Sequence, residues 1–198
     1  ASELGLRHQL ESGIALNGKI GRSFRFANVD EIYEFSSAFT NQFQFLRPQT
    51  VVGQEFWLDQ RLESGSWRAA IFSNKAYDEI HLDPFSTGVG NTNLPPSRRH
   101  GMELDGKWQV LPQATLNAAY TYTDARFISG TWSGKQVPLV PGQKVNFGAS
   151  WAMSEQTRLN AAFSHVGSQF MENDEPNTLG MKIPAYTLAD IKWVHQMG

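Results

Sequence analysis

The sequence has no cysteine among its 198 residues, which excludes a disulfide framework, a thiol nucleophile and any thiolate metal site. It has no basic excess either: 17 Lys and Arg stand against 19 Asp and Glu, for a net charge of −2 and a pI near 6.2. Nothing in that balance draws the chain to nucleic acid, and no nucleic-acid partner is expected. No run approaches the roughly eighteen apolar residues of a membrane-spanning helix. A transmembrane barrel stays open, because its strands only alternate, so a mean hydropathy of −0.39 does not make the chain water-soluble. The first residues form no positively charged, apolar leader, so an exported protein would carry its signal upstream. Catalytic signatures are missing as well: there is no Gly-x-Ser-x-Gly, no His-Glu-x-x-His, no phosphate loop and no dinucleotide fingerprint. Neighbouring acids such as Asp78-Glu79 would point to opposite faces of a strand. The protein is therefore expected not to be an enzyme and to need no cofactor.

What is present is alternation, plainest in residues 101–127. Met102, Leu104, Trp108 and Val110 alternate with Glu103, Asp105, Lys107 and Gln109, so an extended strand there is apolar on one face and charged on the other. Gly106 is the one gap. After a corner at Leu111-Pro112, Leu116, Ala118, Tyr120 and Tyr122 face away from Thr115, Asn117, Thr121 and Thr123. Each arm of this hairpin is about ten residues or longer, the length a tilted strand needs to cross a bilayer's hydrocarbon layer.

The same unit recurs along the chain. Short or long strands are expected over 3–9, from Ile14 towards Phe24, over 50–62, over 67–82 with a bulge or emergence from the apolar layer near Phe72–Asn74, over 143–153, from Leu159 to Gly167, and from Tyr186 onward. Tight turns fall at Glu11-Ser12-Gly13, Glu63-Ser64-Gly65-Ser66 and Ser154-Glu155-Gln156. Long loops fall at 26–48, with a helical turn around Val29–Phe35, and at 84–97, 131–142 and 171–184. Short and long connections alternate, and a transmembrane barrel with short periplasmic turns and long extracellular loops has that asymmetry. Phe24, Trp67, Tyr120, Tyr122, Trp151 and Trp193 fall near strand ends, as interfacial aromatic girdles do. Glu103, Asp105 and Lys107 on one face require water or partners, so that face is expected to line a hydrated lumen. The fold class is all-β, an antiparallel transmembrane β-barrel with about nine long strands.

Several segments, in order, resemble the TonB-dependent outer-membrane receptors. They are SFRFANVDEIYEF (23–35), LRPQTVVGQEFWLDQRL (46–62), HGMELDGKWQVLPQATLNAAYTYTDARF (100–127), VPLVPGQKVNFGASW (137–151) and PAYTLADIKW (184–193). Ala27 stands where the family has proline, which loosens the loop entry. The resemblance implies a 22-stranded barrel. It makes residues 1–198 a fragment of that barrel domain, without the plug, the TonB-contacting box or the final strands. It also implies a Gram-negative outer-membrane location and a parent protein that takes up a ferric siderophore, cobalamin or haem with energy delivered through TonB. The bilayer and lipopolysaccharide would be its further partners. Two other classes stay open on the residues: a complete small outer-membrane barrel acting as adhesin, pore or lipid-modifying enzyme, and a soluble ligand-binding barrel. The exposure of Leu104, Trp108, Phe147 and Trp151 separates the soluble barrel from the membrane readings, because a soluble one turns its apolar face inward.

Candidate ligand-binding residues lie in the loops: the aromatic cluster Phe35, Phe39, Phe43 and Phe45, the cations Arg98 and Arg99 within Ser97-Arg98-Arg99-His100, and Trp132. The cations are candidates for an anionic ligand or lipopolysaccharide. The residues expected to face lipid are Met102, Leu104, Trp108, Val110, Val145, Phe147 and Trp151. His8, His81, His100, His165 and His195 form no i, i+4 pair, so no metal site is expected. Glu172-Asn173-Asp174-Glu175 lacks the glycine-punctuated spacing of a calcium loop and is expected to be solvated.

Overall fold

The alternation resolves into a single ladder. A computed structural model describes residues 1–36, 39–43, 45–82 and 91–197. In chain order these form β1 (Ser2–Gln9), β2 (Ile14–Arg25), α1 (Val29–Ile32), β3 (Tyr33–Ser36), β4 (Phe39–Phe43), β5 (Gln49–Leu62), β6 (Gly65–Tyr77), β7 (Ile80–Leu82) and β8 (Asn91–Asn93). They continue as β9 (Ser97–Leu111), β10 (Ala114–Phe127), β11 (Gln143–Ala152), β12 (Thr157–Val166), β13 (Gln169–Phe170), β14 (Lys182–Ile183) and β15 (Tyr186–His195). Nine strands pair in one antiparallel sheet, in the order β1-β2-β5-β6-β9-β10-β11-β12-β15. No strand enters that order out of chain sequence, so the sheet is a meander. Among the described residues β1 pairs only with β2 and β15 only with β12, so the sheet is open and has two edges.

The six remaining strands make three short hairpins in the long connections: β3 with β4, β7 with β8 and β13 with β14. These correct the reading of 26–48 and 171–184 as loops with little structure. The helical turn falls within the expected span, as α1, and its cause is local. Asn28 Oδ1 accepts from Glu31 N–H at 2.7 Å while Glu31 Oε2 accepts from Asn28 N–H at 2.9 Å, a capping box. Arg25 Nη1 adds an ion pair to Glu31 at 2.8 Å. That bond from Arg25 is the largest influence on the Glu31 carboxyl. With the Asn28 N–H it outweighs the partial burial and holds the pKa below the usual value. Of the second long connection, residues 83–90 lie outside the described residues.

Of the two readings of Phe72–Asn74, the bulge is absent. β6 pairs in unbroken register with β5 and β9 through that stretch and ends at Tyr77, and Ile80–Leu82 belongs to a separate hairpin. The alternation blurs there because outward Ser73 and Lys75 are polar while inward Phe72 is aromatic, not because the backbone slips. Within the nine-stranded sheet the register irregularity lies at the β9–β10 corner, between Ala114 and Thr115, where Leu111 faces Ala114 and Gln109 faces Thr115. The turn is thus Pro112-Gln113, with Leu111 still in the strand.

Gly106, the gap in the apolar face of β9, is filled from its own strand. The Trp108 indole folds back over it, and a Cβ at position 106 would collide with the six-membered ring. Gly106→Val is therefore expected to displace that indole and destabilise the sheet by about 1–3 kcal/mol, as overpacking does. Denaturant unfolding in detergent, with the Trp108 emission as a second readout, tests it; wild-type stability with unchanged emission would show the glycine to be incidental.

Candidate functional site: a two-faced wall and its knitted loops

Residues directly opposite on paired strands point to the same face, as do residues two apart along one strand. Register alone therefore sorts the sheet. One continuous face carries Leu4 and Leu6 of β1, Ile20 of β2, Phe56 of β5, Ile71 of β6, and Met102, Leu104 and Trp108 of β9. It continues through Tyr120 and Tyr122 of β10, Val145, Phe147 and Trp151 of β11, Phe163 of β12 and Ile191 and Trp193 of β15. The deciding side chains are open: Leu104 is 46% exposed, Trp108 37%, Phe147 43% and Trp151 48%. Val110, also exposed, lies on this side at the irregular corner.

The opposite face is polar and crowded. Ala15, Asn17, Ala70, Ala76, Ser97, Ala125 and Phe127 are buried on it, as expected on the inside of a curling sheet. Towards the β1 side its charges are paired within the sheet. Asp59 receives Asn17 Nδ2 at 2.6 Å and pairs with Arg7 Nη2 at 3.2 Å. Glu55 lies between Lys19 Nζ, at 3.0 Å, and the Arg68 guanidinium. Arg68 also reaches Glu103 at 3.6 Å and lies 5.2 Å from the centroid of the Trp57 ring. Such a network is stable beside water and would be costly facing hydrocarbon.

All four tight turns lie at one end of the ladder and all four long connections at the other. The long connections are tied together. Leu94, Ala125, Phe127 and Val137 form a small core, with Trp132 and Val140 packed against it. Trp132 meets Phe127 with ring centroids 5.5 Å apart, so this candidate ligand residue packs on the loops' own core. Asn177 Oδ1 accepts from Gln136 N–H at 2.7 Å and Asn177 Nδ2 donates to Gln136 O at 3.0 Å, joining two loops.

The acidic stretch expected to be solvated is exposed at Glu172 but not beyond it. Asp174 is 0% exposed and Glu175 is buried. Asp174 Oδ1 accepts from Thr178 N–H at 2.7 Å, which caps the turn, and Glu175 Oε1 lies 3.1 Å from His81 Nε2. His81 Nε2 is also 2.8 Å from Asn173 Oδ1. A clasp between two loops therefore explains burial that local spacing could not show. Among the described residues no three His, Asp or Glu side chains are grouped to hold a metal.

The remaining candidates divide. Arg99 turns to the polar face, where Nη2 meets Glu79 Oε1 at 2.8 Å and Nη1 meets Ser97 Oγ at 3.1 Å. Arg98, its neighbour, points to the other face, so the two cations do not form one patch. Asp78 and Glu79 also diverge, because Asp78 sits in a turn at φ 55° and pairs with Arg47 instead. Phe45 is exposed, while the side chains of Phe35, Phe39 and Phe43 lie outside the described residues.

Residues 2–193 match the family described as TonB dependent receptor-like, beta-barrel. The chain belongs to this family. It is 27% identical over 127 residues to the ferrioxamine receptor of Yersinia enterocolitica, a match that covers 61% of this chain and 17% of that protein. Its fold is similar to the copper transporter OprC, with a TM-score of 0.76 at 16% identity over 99% of this chain and 31% of the other. It is also similar to the ferric yersiniabactin uptake receptor FyuA from Yersinia pestis, with a TM-score of 0.77 at 15% identity over 96% of this chain and 28% of the other. The chain thus spans less than a third of the length of each of these three relatives. At such low identities the structural matches speak for the fold, an all-β receptor barrel wall.

The loop clasp makes a pH prediction. Burial resists ionisation of Glu175, but the His81 hydrogen bond, the residue's own N–H and the attraction of His81 together hold its carboxyl below the usual range. A carboxyl depressed in the folded state stabilises above its unfolded pKa and loses that contribution as pH falls through the folded one. Protection of the Thr178 and Leu179 amides, normalised to unstructured-peptide rates, is expected to persist at neutral pH and to fall in acid below the ordinary glutamate pKa. Glu175→Gln should remove that acid step; a step of unchanged size in the variant would assign it to another carboxyl.

Proposed function

We propose that this chain is part of the wall of an outer-membrane receptor that takes up a scarce nutrient, a ferric siderophore or a related metal chelate, with energy delivered through TonB. The observation that carries the reading is the sorting of one ladder into an exposed apolar face and a charged polar face, with turns at one end and knitted loops at the other. Lipid accepts the first face, because it demands nothing of apolar side chains and the inner strands of the ladder bond their backbone polar groups to their neighbours. A hydrated lumen suits the second. Met102, Leu104, Trp108, Val110, Val145, Phe147 and Trp151 are the residues we assign to lipid. A soluble binding barrel would carry its apolar side chains inward, the reverse of this arrangement.

In this reading the wall performs no chemistry on the ligand. It supplies a rigid frame, and the long loops present side chains to the external medium. The class of ligand follows the names of the relatives, which include receptors for ferric chelates and a transporter for copper. The loop aromatics and Phe45 suit a planar or catecholate chelate. The recognised metal is cargo, held by its chelator and not by protein ligands.

The test is tryptophan quenching in reconstituted full-length receptor. Variants keeping one tryptophan each are placed in bilayers of brominated lipid. Trp108 and Trp151 are expected to be quenched several-fold more than Trp57, whose ring lies on the polar face under Arg68. Equal quenching of Trp57 and Trp108, or protection of both Trp108 and Trp151, would remove the membrane reading.

A further inference from the structure

The polar face changes character across the sheet. On β1, β2, β5, β6 and β9 it mixes cations with the carboxylates Glu3, Glu55, Asp59, Glu103 and Asp105. On β10, β11 and β12 the same face has no Asp or Glu at any position. Its polar side chains there are amides and hydroxyls, such as Asn117, Asn146, Ser150 and Ser164, and its charges are the cations Lys144 and Arg158. Carboxylates flank this strip without entering it, Asp105 on β9 opposite Ala119 and Asp190 on β15 opposite Ala162. Lys144 and Arg158 are both exposed, and among the described residues neither has a carboxylate within salt-bridge reach.

The two cations stand at opposite ends of the strip. Lys144 lies opposite Thr121 and Val166, near the long loops, and Arg158 lies opposite Ala152, beside the β11–β12 turn. Eight residues of β11 separate their rows, about 27 Å of strand. Beside Arg158 the face is hollowed by a cavity of about 370 Å3, lined by Lys107, Thr115, Asn117, Ser150 and Arg158 among others and by no carboxylate. Higher up, Ser164 Oγ donates to Asn146 Oδ1 at 2.8 Å, and the Asn146 NH2 makes no bond among the described residues. The strip thus presents positive charge at both ends and hydrogen-bond donors between them.

That chemistry selects an anion. Hydrogen bonds to a charged acceptor are the stronger kind, and no carboxylate on these strands competes for the donors or the cations. A cation would meet like charge at either end of the strip. A protein surface docked there permanently would need large apolar anchors, whereas the apolar side chains between the Lys144 and Arg158 rows are Ala119 and Ala162. Weak polar contacts repeated along a wall suit a ligand that must leave as readily as it enters.

We propose that the polar face of β10–β12 is the side of the lumen followed by an anionic chelate, met by Lys144 below the loops and by Arg158 and Lys107 at the cavity near the turns. The inference rests on the receptor reading above and deepens it, by giving the sign of the cargo's charge and the wall it follows.

The experiment measures energy-dependent uptake of radioactive iron by full-length receptor in cells. One probe is a ferric tris-catecholate, which is anionic; the other is a ferric trihydroxamate with a free amine, which is cationic. Binding to the same cells in the cold, without energy, is read alongside. Wild type is expected to take up the anionic chelate faster. Lys144→Gln/Arg158→Gln should slow that uptake about fivefold or more while leaving cold binding unchanged, because the loops are intact and only the field along the wall is altered. Lys144→Arg/Arg158→Lys should restore the rate. Arg22→Gln/Lys75→Gln, the same charge change on the outward face, should match wild type. Equal uptake by wild type and the first double variant would overturn the proposal, as would faster uptake of the cationic chelate by wild type. Cold binding that falls in step with uptake would also overturn it, by making the two cations part of the capture site. Energy-dependent uptake of neither probe by wild type would remove the ferric-chelate reading and this proposal together, whereas uptake of the cationic chelate alone removes only the anion strip.

Discussion

The structure depends on an unbroken antiparallel register. Side chains alternate with period two, so a slip of one residue in any strand would carry its whole apolar set to the polar side and its charges to the apolar side. The pairing from β1 to β15 runs without such a slip, and its one irregularity sits at the β9–β10 corner, at the turn end of the sheet. The same ladder bonds each inner strand's backbone polar groups to its neighbours, the condition for a sheet to stand in lipid. At the edges, β1 and β15, those groups have no partner within the sheet.

On this ladder the two faces solve opposite electrostatic problems. Towards the β1 side the polar face keeps charge by neutralising it: Glu55 sits between Lys19 and Arg68, and Asp59 is held by Arg7 and Asn17. These side chains come from β1, β2, β5 and β6, so the network also pins neighbouring strands to one another. The apolar face avoids charge over its middle and admits it near the long-loop end, where Arg22, Lys75, Arg98, Asp124 and Arg126 point outward. A charge left unpaired at the edge of an apolar belt is tolerable where headgroups and water begin, and would be expensive a few residues nearer the turns.

The loops are less free than their composition suggests. The Phe127–Val137 core, the Asn177–Gln136 bonds and the His81–Glu175 contact join connections that are far apart in sequence. A receptor that captures ligand with its loops gains from such stitching, because residues held in place lose less conformational freedom on binding. Trp132 contributes here by packing on Phe127. Phe45 stays exposed and is the aromatic candidate among the described side chains that a ligand could reach.

Much of this was legible in the order of the residues. Strand positions, the split into an apolar and a polar face, the alternation of tight turns with long loops and the helical turn after Asn28 all follow from patterns within about a dozen neighbouring residues, and local sequence determines such patterns. Tertiary structure alone decided which face lies open, that Arg98 and Arg99 part company, that Asp174 and Glu175 are buried, and that residues 22, 75, 98 and 126 stand in one row. The reason is that each of these facts depends on which residue lies across the gap between strands or between loops. Register couples positions tens of residues apart, and the spacing of residues along one strand carries no record of it.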